Sequence, residues 1–280
     1  MSSIVVRVKQ KQIAQLIAKG KRLDGRGLTD YREIKVEQGV IERAEGSARV
    51  LLGMTEVMTG IKIEIGQPYP DTPNEGVLTV NAELVPLASP TFEPGPPDEN
   101  SIELARVVDR GIRESKAIDL ERLCVEPGKK VFIVFVDVYV LNHDGNLIDA
   151  SALAAIAALL NTKMFKYEIE EGEVKIKPGY TPLPIRKRPI AVTFAKINDK
   201  LVVDPWLEEE QIMDARLTMT IDDDGNICAV QKGGSGYFTP KQVLEAAKIA
   251  REKAEEIRKK IKLVKTQWGK EPKRWGQHAG

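Results

Sequence analysis

The sequence predicts an α/β protein of two consecutive subdomains, and three observations indicate this fold class. Short stretches of β-branched and apolar residues alternate along the chain with longer segments of helical periodicity. The apolar run 130–141 precedes the Ala- and Leu-rich run 148–160, which predicts a strand and a helix buried in one core. The segment 181–189, rich in proline and basic residues, then separates two sets of strands as a linker.

The N-terminal half opens with a predicted amphipathic helix at 5–19, where Ile13, Leu16 and Ile17 share one face. Three strands follow, in which apolar and polar residues alternate or β-branched residues dominate. Their predicted ranges are 47–53, 56–65 and 77–87. Prolines from Pro86 to Pro97 then exclude a helix or a central strand, because proline lacks an N–H donor.

The next predicted helix is capped by the carboxylate of Asp98 and reaches about residue 116. Its apolar stripe is Ile102, Ala105, Val108 and Ile112. Its charged stripe is Glu99, Glu103, Arg106, Arg110 and Arg113. This stripe is either an exposed salt-bridged face, with about 0.2–0.5 kcal/mol for each pair, or an RNA contact. In the second interpretation Arg106 and Arg110 bind neighbouring backbone phosphates, because a guanidinium group matches phosphate geometry.

The continuous apolar character of 130–141 predicts a strand covered on both faces. Asp137 inside it is either catalytic or held by a neighbouring arginine or backbone N–H, because a buried carboxylate needs partners. His143 follows, but no serine or cysteine nucleophile stands at a recognisable spacing from it.

Asp144-Gly145 forms a predicted turn between this strand and the helix 148–160. Such a turn is an anion pocket, because free N–H groups and the helix dipole point at the ligand. A phosphate site normally adds a hydroxyl or a cation, whereas this turn offers Leu147 and Ile148. The residues therefore predict phosphate-binding architecture in a chain that does not bind phosphate.

The second half predicts four strands, at 190–196, 200–204, 215–221 and 226–231. The run Asp222-Asp223-Asp224-Gly225 predicts a hairpin turn rather than a calcium loop, since the distal glutamate is missing. Lys232 to Gly236 is a glycine-rich turn without the Walker pattern. A long helix begins after Thr239, with Pro240 at its first position and Gln242 completing a capping box.

Five carboxylates cluster within this half of the chain. They are Asp204, Glu208, Glu209, Glu210 and Asp214. They could bind Mg²⁺ or supply a general acid. They could equally form an exposed loop and a helix start, where glutamates are favoured.

Composition restricts the class of protein. The 280 residues can bury a substantial core, and their 42 basic and 41 acidic residues nearly balance. Residues 239–274 are an exception, with 12 basic and 5 acidic residues, and are either a solvated face or an approach to phosphate backbones.

Cys124 and Cys228 support neither a disulfide framework nor a zinc site. No long apolar run or signal peptide is recognisable, which predicts a cytoplasmic protein without a membrane span.

Nearly the whole chain resembles the RNase PH family. The segments that carry the resemblance are Arg22-Leu23-Asp24-Gly25-Arg26 with Tyr31-Arg32, Gly53-Met54-Thr55, Glu103 to Arg110, Asp137 to Gly145, and Lys232-Gly233-Gly234. Longer runs are similar to the non-catalytic RNase PH-like subunits of the archaeal exosome. Those runs are Pro70 to Asn74, Glu93 to Asn100, and Asp214-Ala215-Arg216.

The resemblance implies a ribosomal S5 domain 2-like β-α-β-α unit followed by a smaller C-terminal α/β domain. We expect an N-terminal helix in 1–20, domain 1 in 21–180, a linker in 181–189, domain 2 in 190–265 and a tail in 266–280. The resemblance also implies a hexameric ring of three heterodimers, each with a catalytic RNase PH-like partner, together with RNA-binding cap subunits. Family members degrade RNA from its 3′ end, with inorganic phosphate as the attacking co-substrate. For this chain we expect no cofactor and no metal site, since phosphate binds in the partner's site.

The departures from the family imply that this chain has no catalytic residues of its own. Catalytic members place Gly-Ser/Thr-Arg where this chain has Asn146-Leu147-Ile148. They match Asp204, but carry aspartate where this chain has Glu210 and Arg216. Apolar side chains cannot replace the charge-assisted hydrogen bonds of the missing groups.

The RNA-binding pattern is retained at Arg106 and Arg110, and Arg113 extends the same stripe. We therefore expect a subunit that shapes its partner's active site and binds the RNA backbone. Two alternatives stay open: a self-sufficient phosphate-dependent 3′–5′ exoribonuclease using Asp204 or Glu210 as acid, and a structural ring spacer without RNA contact.

Overall fold

The computed structural model describes residues 3–170 and 173–261. The strands are β1 (Ile34–Gln38), β2 (Gly46–Leu52), β3 (Thr55–Gly66), β4 (Val77–Leu84), β5 (Cys124–Glu126), β6 (Lys130–Asn142), β7 (Lys163–Glu170), β8 (Glu173–Pro182), β9 (Ile190–Ile197), β10 (Lys200–Val203), β11 (Ala215–Ile221) and β12 (Ile227–Gly233). The helices are α1 (Ser3–Ala18), α2 (Glu99–Glu114), α3 (Leu147–Leu160), α4 (Leu207–Glu210) and α5 (Pro240–Arg258). The α/β class is confirmed.

The first subdomain is built on a sheet with the strand order β1-β2-β3-β6-β4, and β5 lies beside β6. β4 and β6 are parallel, whereas the other pairs in this sheet are antiparallel. A parallel pair needs a crossover connection, and α2 lies in the one that joins β4 to β6. Apart from the short β5, the order β4-α2-β6-α3 is the β-α-β-α unit that the family resemblance implies.

β6 is buried on one face only. Its even-numbered residues from Phe132 to Val140 are buried, whereas the odd-numbered residues from Ile133 to Tyr139 keep solvent exposure. The prediction of burial on both faces was therefore wrong. Successive side chains of a strand point to opposite faces, and β-branched and aromatic residues also suit a half-exposed sheet surface. Apolar composition alone could not separate these two situations.

α3 lies against both subdomains. It contacts β2 and β3 of the first sheet and β9 of the second. Every residue from Ile148 to Leu159 except Ala152 is buried, which confirms the prediction of a helix buried on most sides. This helix places the turn that precedes it, at Asp144 to Asn146, beside the second subdomain.

The second subdomain is an antiparallel sheet with the order β10-β9-β11-β12, on which α5 packs. The predicted capping box of α5 is present, since Thr239 Oγ1 accepts from Gln242 N–H at 3.3 Å and the Gln242 side chain accepts from Thr239 N–H at 2.9 Å. α1 also packs here, because Ile13 and Ile17 are buried against β9 and β10.

Several elements escaped prediction. The β7–β8 hairpin alternates charged with apolar residues and is mostly exposed, so its pattern lacks a strong apolar signal. The predicted linker begins inside β8 and is hydrogen-bonded to the first subdomain, where Arg186 N–H donates to the Ala117 carbonyl at 2.7 Å. The predicted tail 266–280 lies outside the described residues.

No helix in the described ranges is both long and apolar enough to span a bilayer. Cys124 and Cys228 are free thiols.

Candidate functional site

The turn between β6 and α3 is left-handed at two successive residues. Gly145 has φ +85° and Asn146 has φ +54°, a conformation that glycine tolerates freely and asparagine more readily than most residues. A Cβ atom on Gly145 would lie 2.4 Å from Leu207 N, so the turn rests directly on the backbone at the start of α4. Leu207 N–H donates to the Asp144 carbonyl at 3.2 Å. The predicted anion turn is thus packed against a second helix.

Glu210, in that second helix, supplies a carboxylate to the turn. Its Oε1 accepts a hydrogen bond from Asn146 N–H at 2.8 Å. Burial raises the pKa of Glu210 to about 7, while the Asn146 N–H and the charges of Arg216 and Arg32 act in the opposite direction. A backbone donor predicted to receive an external anion is therefore bonded to the protein's own acid.

Asp204 binds the cations nearest the turn. Its buried carboxylate accepts from Arg26 Nη1 at 2.9 Å, from Arg32 Nη2 at 2.8 Å and from Asn146 Nδ2 at 2.8 Å. Arg32 also donates to the carbonyls of Asp144 and Gly145, at 2.6 and 3.2 Å. The guanidinium of Arg32 is therefore engaged within the chain. Local sequence patterns do not predict Arg32 at the turn, because only the tertiary structure brings the two together.

A second acid of the predicted carboxylate cluster is also engaged by an arginine. Arg22 and Glu209 form a fully buried ion pair, with Nε donating to Oε1 at 2.9 Å. The remaining donors of Arg22 reach the carbonyls of Val203 and Asp204 at 2.8 Å each. Satisfied donors offset part of the desolvation cost of such a pair.

These contacts support a structural role for the carboxylate cluster, but the predicted exposed loop is wrong for Asp204 and Glu209, which are buried. Asp204 and Glu209 are tied to arginines, Glu210 is tied to the turn, and Asp214 is exposed. In the part of the chain that the structure describes, no group of three or more His, Cys, Asp or Glu residues is arranged to hold a metal ion.

Asp137 and His143 do not form a catalytic pair. Asp137 lies on the half-exposed face of β6 and accepts from Asn81 Nδ2 at 3.1 Å, so an asparagine satisfies it rather than an arginine or a backbone N–H. His143 stacks on Phe92 with ring centroids 5.3 Å apart, and its Nδ1 accepts from Gly145 N–H at 3.3 Å. Burial, followed by the charge of Arg32, lowers the pKa of His143.

Asp149 is a buried acid that the sequence analysis missed. Its carboxylate accepts from the Tyr31 hydroxyl at 2.7 Å, from Thr193 Oγ1 at 2.7 Å and from Asn146 Nδ2 at 2.9 Å. Burial raises the pKa of Asp149 to about 6, although these hydrogen bonds favour the charged form. An aspartate in the first turn of an apolar helix was the available signal. Asn146 joins Asp149 to Asp204 through one amide nitrogen.

The arginines of α2 differ in the hydrogen bonds and ion pairs that their side chains make with other described residues. The side chain of Arg106 is exposed and makes no hydrogen bond or ion pair with any other described residue. Arg110 Nη1 donates to Gln231 Oε1 on β12 at 2.9 Å. Arg113 is paired with Asp109 at 2.7 Å and also donates to the Leu78 carbonyl at 3.0 Å.

The apolar stripe predicted for α2 was partly wrong. Ile102 is 50% exposed, because the helix is rotated so that other positions face the sheet. The buried residues are Ser101, Leu104, Val107, Val108, Gly111 and Ile112. The carboxylate of Asp98 caps the helix as predicted, accepting from Ser101 N–H at 2.8 Å.

Known proteins resemble this chain over both subdomains. The family models described as "3' exoribonuclease family, domain 1" and "domain 2" match residues 30–164 and 187–253. A protein named "Exosome complex component Rrp42" from Pyrococcus furiosus is 60% identical over 92% of this chain and 94% of its own length. The protein of the same name from Thermococcus kodakarensis is 56% identical over 92% of this chain and 96% of its own length.

A solved structure shares the arrangement of the whole fold. A chain of the structure titled "archaeoglobus fulgidus exosome with RNA bound to the active site" superposes with a TM-score of 0.85 and 51% identity, over 93% of this chain and 100% of that one. Both family domains thus occur in order along the described fold, and the relatives match it nearly end to end. This chain belongs to the 3′ exoribonuclease family, the RNase PH family.

Proposed function

We propose that this chain is a non-catalytic component of an exosome core, which degrades RNA from its 3′ end by phosphorolysis. The observation that carries the proposal is the hydrogen bond from Asn146 N–H to Glu210. A phosphorolytic site must bind orthophosphate at this turn, and here a carboxylate of the same chain takes the donor. Two guanidinium groups act on Glu210, and both already have partners: Arg32 is bonded to Asp204 and Arg216 to Glu103. An incoming phosphate would therefore meet an acid and no free cation.

The chain contributes to RNA binding through the exposed side of α2. Arg106 is unpaired among the described residues, and the partner of Arg110 is a neutral amide, so both keep their positive charge available. Phosphate contacts of this kind are independent of sequence and sensitive to salt. Arg113 lies on the same stripe, but its charge is balanced by Asp109.

The names of the relatives support the assembly part of the proposal. They are called exosome complex components, and one structural relative is titled "Archaeal exosome core". In our proposal this chain pairs with a catalytic RNase PH-like subunit in the cytoplasm. Three such heterodimers form a hexameric ring that carries RNA-binding cap subunits, and inorganic phosphate binds in the partner's site.

The test is a phosphorolysis assay on the purified chain, with and without a co-expressed catalytic RNase PH-like partner. Labelled single-stranded RNA is incubated with and without inorganic phosphate, and released nucleoside diphosphates are separated by chromatography. We expect no release by the chain alone and phosphate-dependent release by the assembled complex. Release by the chain alone that Glu210→Gln abolishes would establish the self-sufficient exoribonuclease instead.

A structural spacer without RNA contact is the remaining alternative. Photocrosslinking of RNA to the assembled complex, followed by peptide mapping, decides between this alternative and the proposal. We expect crosslinked peptides that include Arg106 and Arg110. A complex that crosslinks RNA only through the partner subunit would support the spacer.

A further inference from the structure

Arg106 is unpaired although an acid lies next to it on the helix. Glu103 and Asp109 are each three positions from Arg106, which makes both of them its neighbours on the surface of α2, and Asp109 is already bonded to Arg113 at 2.7 Å. An acid and a base at this spacing normally attract each other. Glu103 Oε1 instead accepts from Arg216 Nη2 at 2.6 Å. Arg216 thus neutralises the acid that would otherwise compete for Arg106.

The position of Arg216 on β11 favours this contact. Arg216 pairs in register with Gly233 on β12, and a Cβ atom on Gly233 would lie 3.0 Å from Arg216 Nη2. The missing side chain leaves room for the guanidinium group to cross the edge strand and reach α2. Only 18% of the Arg216 side chain is exposed, so the pair with Glu103 is partly shielded from water.

The same carboxylate also fixes the partner of Arg110. Gln231 Nε2 donates to Glu103 Oε1 at 3.3 Å, and Gln231 Oε1 accepts from Arg110 Nη1 at 2.9 Å. An amide has its donor and its acceptor on opposite sides, so a carboxylate at one side turns the oxygen toward the arginine. A continuous chain of hydrogen bonds therefore runs from Arg216 on β11 to Glu103 on α2, then to Gln231 on β12 and back to Arg110 on α2.

We propose that Arg216 is a positioning residue for RNA binding: it withholds Glu103 from Arg106 and, through Glu103 and Gln231, orients Arg110. This inference rests on the proposed RNA contacts of α2. Arg216 therefore has a role of its own, besides replacing the aspartate that catalytic family members carry at this position. A carboxylate at 216 would repel Glu103 and leave that acid to neutralise Arg106.

The test measures single-stranded RNA binding by the complex with the catalytic partner, as a function of salt. We expect Arg216→Ala to weaken binding about threefold at low salt and to reduce the salt slope by about 0.7, as the loss of one phosphate contact does. Arg216→Lys keeps the charge and should recover most of the affinity. Glu103→Gln in the Arg216→Ala background removes the freed acid, and it should restore binding toward that of the wild type.

The rescue separates a positioning role from a general structural one, because Glu103→Gln adds no contact that could repair a damaged fold. Arg216→Gln, which keeps bulk and a donor, replaces the alanine variant if the latter fails to assemble. Wild-type binding by an assembled Arg216→Ala or Arg216→Gln complex overturns the inference, provided that Arg106→Ala does weaken binding. If Arg106→Ala leaves RNA binding unchanged, the proposed RNA role itself fails.

Discussion

Arg32 and Asp204 join the N-terminal segment to the second subdomain through three hydrogen bonds. The backbone N–H, Nε and Nη2 of Arg32 donate to the carboxylate of Asp204 at 2.8, 3.0 and 2.8 Å. Asp204 has a fully buried side chain and a left-handed backbone with φ +49°. A residue held in this conformation by two arginines and an asparagine is a structural junction, and its position beside the turn explains why an acid is retained there.

Replacing Asp204 by alanine should destabilise the protein strongly. The guanidinium groups of Arg26 and Arg32 would lose their shared partner in a largely buried site, which costs about 3–5 kcal/mol. Urea denaturation followed by circular dichroism measures this loss. Asp199→Asn is the matched control, because the Asp199 side chain is 99% exposed and its loss should cost less than about 0.5 kcal/mol. Equal midpoints for the two variants would contradict the junction role.

The strands and helices with strong periodicity could be predicted from the sequence, and the weakly patterned ones could not. α3 and α5 follow directly from an apolar run and from a capping box at Thr239. β6 was found, but its burial was overestimated, since a strand with one covered face and a β-branched outer face looks like a fully buried strand. Of its described residues, the β7–β8 hairpin packs only Met164, Phe165 and Tyr167 on the core, and the lysines and glutamates between its apolar residues weaken the apolar pattern.

The site could be predicted only in its local part. The turn at Asp144 and Gly145, with its missing cation and hydroxyl, is encoded in consecutive residues. The hydrogen bonds that join this turn to Glu210 and to Arg32 link segments that are distant in the sequence. Hydrophobic periodicity does not reveal such contacts. Arg216 was interpreted only as a lost acid, because its partner Glu103 belongs to the other subdomain.

The buried acid Asp149 should make stability depend on pH. Burial raises its folded pKa to about 6 from the ordinary 3.8, so the folded state holds the proton more tightly than the unfolded state. The stability that this group contributes is complete below about pH 4 and is lost as the pH rises through about 6, by about 3 kcal/mol. The Asp149→Asn variant has no carboxyl group to titrate there and should not show this loss. Its free energy of unfolding relative to that of the wild type should therefore increase between about pH 4 and about pH 6 and level off above pH 6. Parallel pH profiles from urea denaturation would count against this assignment.

Gly145 should be far less replaceable than Gly25. Both have left-handed backbones, with φ +85° and +83°, so alanine at either position adds strain of about 1–2 kcal/mol. A Cβ on Gly145 also overlaps the backbone of Leu207 at 2.4 Å, whereas nothing lies within 4 Å of one on Gly25. We expect Gly145→Ala to cost about 1–3 kcal/mol more than Gly25→Ala. Chemical denaturation gives the free energy of unfolding of both variants, and the difference between them measures the effect of the close approach of the turn to α4. Similar losses of stability in the two variants would show that the turn can move away from α4.

The three arginines of α2 should contribute unequally to RNA binding by the assembled complex. Arg106→Ala should reduce the salt slope of single-stranded RNA binding by about 0.7, the value for one phosphate contact. Arg110→Ala should have a similar effect, because Gln231 leaves the charge of Arg110 uncompensated. Arg113→Ala should change the slope little, since Asp109 already balances its charge at 2.7 Å.

Arg122→Ala is the control for these variants, because Arg122 is an exposed arginine outside the α2 stripe, with 74% of its side chain accessible, and its acidic neighbour Asp119 at 3.7 Å is already bound by Arg186 at 2.6 Å. Fluorescence anisotropy at several salt concentrations gives all four slopes, and mass measurement verifies that each complex assembles. A slope that falls equally for the Arg122 and Arg106 variants would mean that RNA senses only the overall charge of the complex. A fall confined to the Arg106 and Arg110 variants locates the RNA backbone on the exposed side of α2, where Arg216 binds the neighbouring acid Glu103.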